Sequence, residues 1–109
     1  MRIYVIYDDF DPITIDNFTF IKNARLISTK YNKLFIIVKQ GSRQADIVDI
    51  LSEFRCVDNA IFECDDLETT LKHLKIVYDK EIFYISKEGE FPKNCDAAYD
   101  IKGKLIYKK

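Results

Sequence analysis

The chain has 109 residues, 48% hydrophobic and 32% charged, with a formal net charge of −1 at pH 7. That composition suits one globular domain over residues 1–109 with a single core, and it excludes a disordered chain. A non-specific nucleic-acid binder would need a basic excess, and no apolar run reaches the roughly 20 residues that span a bilayer, so neither nucleic acid nor membrane is expected as a partner.

Cys56, Cys64 and Cys95 are odd in number and widely spaced, without a Cys-x-x-Cys pair. They read as reduced, mostly structural thiols. Met1-Arg2 passes straight into an apolar run with no signal pattern, so the expected localisation is cytoplasmic.

Ile3 to Tyr7 opens the chain as a strand, and Leu34 to Val38 is a second continuous apolar run, suited to a strand covered on both faces. Between them a helix is expected from about Asn17 to Ser28, with Asp16 as its N-cap. Ile47, Ile50, Leu51 and Phe54 fall at i, i+3, i+4 and i+7, which predicts a second helix burying that stripe, with Asp46 as cap. A short strand, Ala60 to Phe62, follows. Asp65 and Glu68 have the Asp-x-x-Glu spacing of a helix start, and Leu67, Leu71 and Leu74 form the buried stripe of a third helix. Ile82 to Ile85 is another buried-type strand. Asp96 to Ile101 and Leu105 to Tyr107 are weaker strand candidates, with a turn at Gly103.

This alternation predicts a Rossmann-like, doubly wound α/β/α fold with a parallel sheet of about five strands. Ligands of such sheets bind at the carboxyl ends of the strands. Asp8, Asp9, Lys39, Ser86, Lys87 and Glu88 are expected at that edge.

The stretch Asp8-Asp9-Phe10-Asp11-Pro12-Ile13-Thr14-Ile15-Asp16-Asn17 joins the first strand to the first helix. A strand, a tight loop and a helix N-terminus in that order make an anion-binding corner. The stretch resembles the signature Gly-Thr-Phe-Asp-x-x-His/Thr-x-Gly-His of nucleotidyltransferases that join a nucleotide to a phosphorylated small molecule. Phe10, Asp11 and Thr14 match it. Phe10 to Thr14 reads Phe-Asp-Pro-Ile-Thr, as in pantetheine-phosphate adenylyltransferases. Arg55, Val57, Asp58 and Ile61 match the Arg-Tyr-Val-Asp-x-Val-Ile segment of glycerol-3-phosphate and choline-phosphate cytidylyltransferases. The strand Ile82 to Ile85 and the loop Ser86 to Glu90 resemble a strand and acidic loop of the same family.

The resemblance implies a nucleotide site at Asp8, Asp9, Phe10, Asp11, Lys39, Arg43 and Ser86, with Thr14 and Asn17 at the two catalytic motif positions. It also implies a homodimer with Arg55, Val57 and Asp58 near the interface. Departures from the pattern fall where the chemistry belongs. Asp8-Asp9 replaces Gly-Thr and sets like charge against a triphosphate, and Asn17 replaces the second histidine, so no imidazolium donor is available. The loop from Lys39 to Ala45 is short. Ile47 stands where the family has a helix arginine. The family's late serine/threonine segment has no counterpart. The expected function is therefore a non-catalytic binding or assembly module with a degenerate site and no cofactor, a homodimer or a partner of another protein. The alternative is an active enzyme moving a cytidylyl or adenylyl group from CTP or ATP with Mg²⁺, using Thr14, Asn17, Lys39, Arg43 and Arg55.

Asp8, Asp9, Asp11 and Asp16 have the oxygen ligands for a hard cation, but loop and cap chemistry is the favoured reading, and no metal site is assigned. Paired aspartates after a first strand also occur in phosphorylation receiver domains. Those need a further aspartate after the third strand, where Glu63-Cys64 stands here. His73, the only histidine, has no second ligand at metal spacing.

Overall fold

A computed structural model describes all residues, Met1–Lys109. Nine elements alternate along the chain: β1 (Ile3–Asp8), α1 (Ile15–Ser28), β2 (Lys33–Val38), α2 (Gln44–Leu51), β3 (Asn59–Phe62), α3 (Leu67–Tyr78), β4 (Ile82–Ser86), β5 (Ala97–Asp100) and β6 (Leu105–Lys108). They form an α/β protein around a single sheet of order β3-β2-β1-β4-β5-β6.

The first five strands run parallel, and β6 pairs antiparallel to β5. The expected parallel sheet of about five strands is therefore a six-stranded mixed one. The cause is local: only Ile101 to Lys104 separate β5 from β6, far too few for a parallel crossover. Asp100 closes this turn by accepting the Lys102 and Lys104 N–H groups at 2.9 and 2.8 Å, and Gly103 takes φ 86°, a conformation glycine adopts without a Cβ penalty.

Strand alternation sorts the core into two halves. Tyr4, Ile6, Leu34, Ile36 and Val38 face α1 and α2, where Phe20, Ile21, Ala24, Ile47 and Leu51 meet them. Ile3, Val5, Phe35, Ile37 and Ile82 face α3 through Leu71 and Leu74. Every strand with helices on both faces is thus apolar at successive positions, as the sequence runs imply.

Helix ends differ from expectation at several points. α1 begins at Ile15 and its N-cap is Thr14, not Asp16, which lies in the first turn. α2 is led by Arg43 without a side-chain cap, and Asp46 sits inside its first turn. α2 also ends at Leu51. Glu53 and Phe54 donate to Ile50 and Leu51 through tight i→i+3 bonds, so the 3.6-residue phase is lost before Phe54. The buried stripe becomes Ile47, Val48 and Leu51, while Ile50 is 45% exposed and Phe54 packs only at the rim. In α3 the cap is Asp66, which accepts the Thr69 N–H at 2.7 Å; Glu68 is a first-turn residue.

Two aspartates close the amino edge of the sheet in the same way. Asp58, just before β3, accepts the Leu34 N–H of β2 at 2.7 Å and Nη1 of Arg25 from the last turn of α1 at 2.6 Å. Asp96, just before β5, accepts the Ile82 N–H of β4 at 2.8 Å and Nζ of Lys75 from the last turn of α3 at 2.5 Å. Burial pushes the Asp96 carboxyl up, but the Lys75 and Ile82 hydrogen bonds and the Lys75 and Lys109 charges outweigh it and hold the group below its ordinary value of 3.8. A depressed carboxylate contributes stability above its unfolded pKa and loses it as pH falls through the folded one. Asp96→Ala is expected to cost about 1–3 kcal/mol at neutral pH, because it strands the Ile82 N–H. The gap between variant and parent should narrow in acid below pH 3.8, as the charge-dependent part of the clasp is lost, as read by urea titrations across pH.

Candidate functional site

The strand order reverses between β1 and β4, so the crevice at their carboxyl ends is where a ligand of this sheet would sit. Asp8 ends β1 and Ser86 ends β4. The loop from Asp9 to Thr14 leads from this edge into α1.

That loop spends its polar groups on itself. Asp8 Oδ1 accepts the Asp9 N–H at 2.8 Å, and Asp9 Oδ1 accepts the Asp11 N–H at 3.1 Å. Phe10 takes φ 55°, an uncommon conformation for a bulky side chain, and in exchange its ring is fully buried in the core half under α1 and α2. It anchors the loop and has no surface left for a ligand. Asp11 pairs with Arg43 at 3.4 Å, and Asp8 pairs with Lys87 at 3.8 Å. Lys39 is exposed, and its backbone N–H donates to the Asp8 carbonyl at 2.9 Å. Ser86 is buried, with its hydroxyl oxygen accepting the Gly89 N–H at 2.8 Å, which shapes the loop after β4.

Thr14 and Asn17, the two motif positions, face each other in a reciprocal cap. The Asn17 N–H donates to Thr14 Oγ1 at 3.2 Å, while Asn17 Oδ1 receives the Thr14 N–H at 3.2 Å and the Thr14 hydroxyl at 3.0 Å. This is a capping box with asparagine in the place usually held by glutamate or glutamine. The Asn17 carbonyl oxygen is turned back onto the cap, and the residue is buried.

Of the positions that the resemblance places near a dimer interface, Val57 packs in the core and Asp58 is held in its amino-edge clasp. Arg55 is exposed beside Phe18, Lys22, Phe54 and Cys56 around a shallow depression of about 290 Å³.

The residues that the sequence reading left out are Tyr7, Glu63, Tyr84 and Glu90. Tyr7 and Tyr84 read as strand-core residues, and both stand on the α3 side of the sheet at its carboxyl edge. The Tyr7 hydroxyl donates to Glu63 Oε2 at 2.7 Å, and Glu63 Oε1 accepts the Gln40 N–H at 2.9 Å, which ties β1 to the ends of β2 and β3. Two adjoining clefts share Tyr7, Tyr84 and Glu90. One, of about 200 Å³, is bounded by Asp8, Lys87 and Glu88; the other, of about 400 Å³, by Asp66, Leu67, Glu68, Phe91 and Pro92. Burial, then the charges of Asp8, Cys95 and Glu90, pushes the Tyr84 phenol up to about 12. Burial and the Glu63 contact push Tyr7 upward as well. Both phenols are protonated at neutral pH. A phenol, with its donor and acceptor, was visible in the alternation of β1 and β4, but its position opposite Glu90 depends on loop geometry.

A scan of protein-family models, a search of curated proteins and a search of solved structures each returned no match. The chemistry at this edge therefore stands on the residues themselves. Carboxylates outnumber cations, the helix N-terminus carries its own cap, and no group of three or more His, Cys, Asp or Glu residues converges on a metal position. If Thr14 and Asn17 act as a cap, Thr14→Ala should cost about 1 kcal/mol of stability. Thr14→Ser should restore most of it in the same thermal or urea unfolding measurement, whereas equal losses for Ala and Ser would show that the cap does not matter.

Proposed function

We propose that this chain is a non-catalytic binding module on a nucleotidyltransferase-like, Rossmann-like frame, whose carboxyl edge has lost the capacity to hold a nucleoside triphosphate. The observation that carries this reading is the charge pairing at the edge. Arg43 and Lys87 are each engaged by an aspartate of the first loop or strand, and Asp9, Glu88 and Glu90 add further negative charge. Each added carboxylate near a triphosphate costs on the order of 1 kcal/mol at a partly exposed site. The position where transferases of the resembling family place a charged imidazole holds Asn17, whose oxygen accepts rather than donates. The active alternative would need both Thr14 and Asn17 to abandon the α1 cap.

The proposal includes self-association as a homodimer, on the face where Arg55 stands beside the partly exposed Phe18. Val57 packs into the core behind that face, and Asp58, exposed beside it, is held by Leu34 and Arg25. The three free cysteines fit a reducing, cytoplasmic setting. No helix is long and apolar enough to cross a membrane. Light scattering should give a dimer for the parent chain and a monomer for Arg55→Glu; a monomeric parent would remove the assembly part of the proposal.

Isothermal titration tests the site. CTP or ATP with Mg²⁺ is expected to give no saturable heat with the parent chain. The combined reversion Asp8→Gly, Asp9→Thr, Asp16→Gly and Asn17→His should bind triphosphate more tightly by removing like charge and supplying a cationic donor. It should also lose about 1 kcal/mol of folding stability, because the α1 cap is broken. Micromolar binding by the parent would overturn the reading.

A further inference from the structure

β6 pairs only with β5, so its other side is an open strand edge. Tyr107 lies opposite Ala98, and the Lys109 N–H donates inward to the Asp96 carbonyl at 3.0 Å. Backbone groups of an antiparallel strand alternate between its two sides, so Ile106 and Lys108 turn their N–H and C=O outward. Groups of that kind are what an added strand pairs with.

Lys102, Lys104, Lys108 and Lys109 follow this edge, residues 101–109 include no Asp or Glu, and none of the four lysines forms an ion pair. The neighbouring carboxylates are engaged elsewhere. Asp100 accepts the backbone N–H groups of Lys102 and Lys104, Asp96 holds Lys75 and the Ile82 N–H, and Glu81 pairs with Arg2. Lysines on an outer strand ordinarily keep other strands away. A guard has no use for exposed apolar side chains, however, and this edge keeps them on both faces. Leu105 is 47% exposed beside Phe83, Tyr99 and Lys108 on one face. Phe91, 40% exposed, stacks on Tyr107 at 4.7 Å on the other. Open backbone groups, unpaired ammonium groups and apolar side chains together fit a strand of opposite charge better than a flat anionic surface, which could not reach the backbone.

We propose that the free edge of β6 docks an extended acidic segment of another protein, in which Glu or Asp alternates with apolar residues. Its backbone pairs with Ile106 and Lys108. Its carboxylates lie on the Lys108 face, toward Lys104 and Lys108, and its apolar side chains cover Tyr107 and Phe91. Cross-strand pairs of opposite charge, and of aromatic with aliphatic side chains, stabilise such a ladder. This site is apart from the crevice between β1 and β4 and stands whether or not that crevice takes a triphosphate.

The test is fluorescence anisotropy of the full chain with three labelled heptapeptides: Glu-Val-Glu-Val-Glu-Val-Glu, the same peptide with proline at its central valine, and Lys-Val-Lys-Val-Lys-Val-Lys. The first should bind saturably, and more weakly as salt is raised. The proline peptide keeps the charge but lacks a backbone donor and resists the strand conformation, and the lysine peptide carries the wrong charge, so neither should bind. Lys104→Glu combined with Lys108→Glu should weaken the acidic peptide about tenfold, because exposed attractions become repulsions. Lys30→Glu combined with Lys72→Glu, at exposed positions outside β6, makes the same change in net charge and should leave binding unchanged. Should the β6 variant misfold, the peptide comparison on the parent chain decides alone. No saturable binding of the acidic peptide, equal binding of the proline peptide, or equal affinity for phosphatidylserine vesicles or oligothymidylate would overturn the proposal. So would loss of self-association in the Lys104→Glu, Lys108→Glu chain by light scattering, which would place a second copy on this edge.

Discussion

The clasp made by Asp58, and repeated by Asp96, is the interaction on which the geometry of the sheet depends. Parallel strands that start at staggered positions leave their first N–H groups without a ladder partner, and a buried orphan of that kind is costly. Each aspartate supplies the missing acceptor to the neighbouring strand, at Leu34 and at Ile82, and holds a cation from the last turn of a helix with its remaining capacity. One carboxylate thus sets the level of a strand and the tilt of a helix together. The two clasps lie on opposite sides of the central strand, one fixing α1 and the other α3. The carboxyl edge inherits its shape from these anchors at the far end.

At that carboxyl edge the chain is free to vary, and it has used the freedom to turn its polar groups inward. The first loop bonds to its own backbone, Phe10 is drawn into the core, and Thr14 and Asn17 satisfy each other. A helix start whose third N–H is already held by its own cap has less to offer an anion. On the other face of the crevice Tyr7 and Tyr84 border two clefts among carboxylates, with the Tyr7 hydroxyl already given to Glu63.

The order and type of the main elements were legible because apolar runs of strand length and stripes of helical spacing are local signals. The limits were physical. Phase is lost where α2 tightens after Leu51, so Phe54 could not be placed from spacing alone. The Thr14 cap competed with Asp16, two positions on, and won because Asn17 could reciprocate. Asp58 resembled part of an interface segment, yet its partners Leu34 and Arg25 are remote in sequence and only folding brings them together. Tyr84 was readable as a buried strand residue, but the clefts that it borders are shaped by the loop between β4 and β5, which no periodicity describes.

The sheet order has a further consequence, for solubility. The two outer strands, β3 and β6, present unpaired backbone groups that another chain could extend. β6 is short, ends in lysine and follows a turn carrying Lys102 and Lys104, so an approaching strand there meets a dense positive charge. β3, Asn59-Ala60-Ile61-Phe62, has no charged residue, and its Phe62 is 45% exposed. Its brevity and the carboxylates at its two ends, Asp58 and Glu63, are what protect it. The molecule is thus guarded unequally at its two rims, and an unwanted cross-strand association would begin at β3.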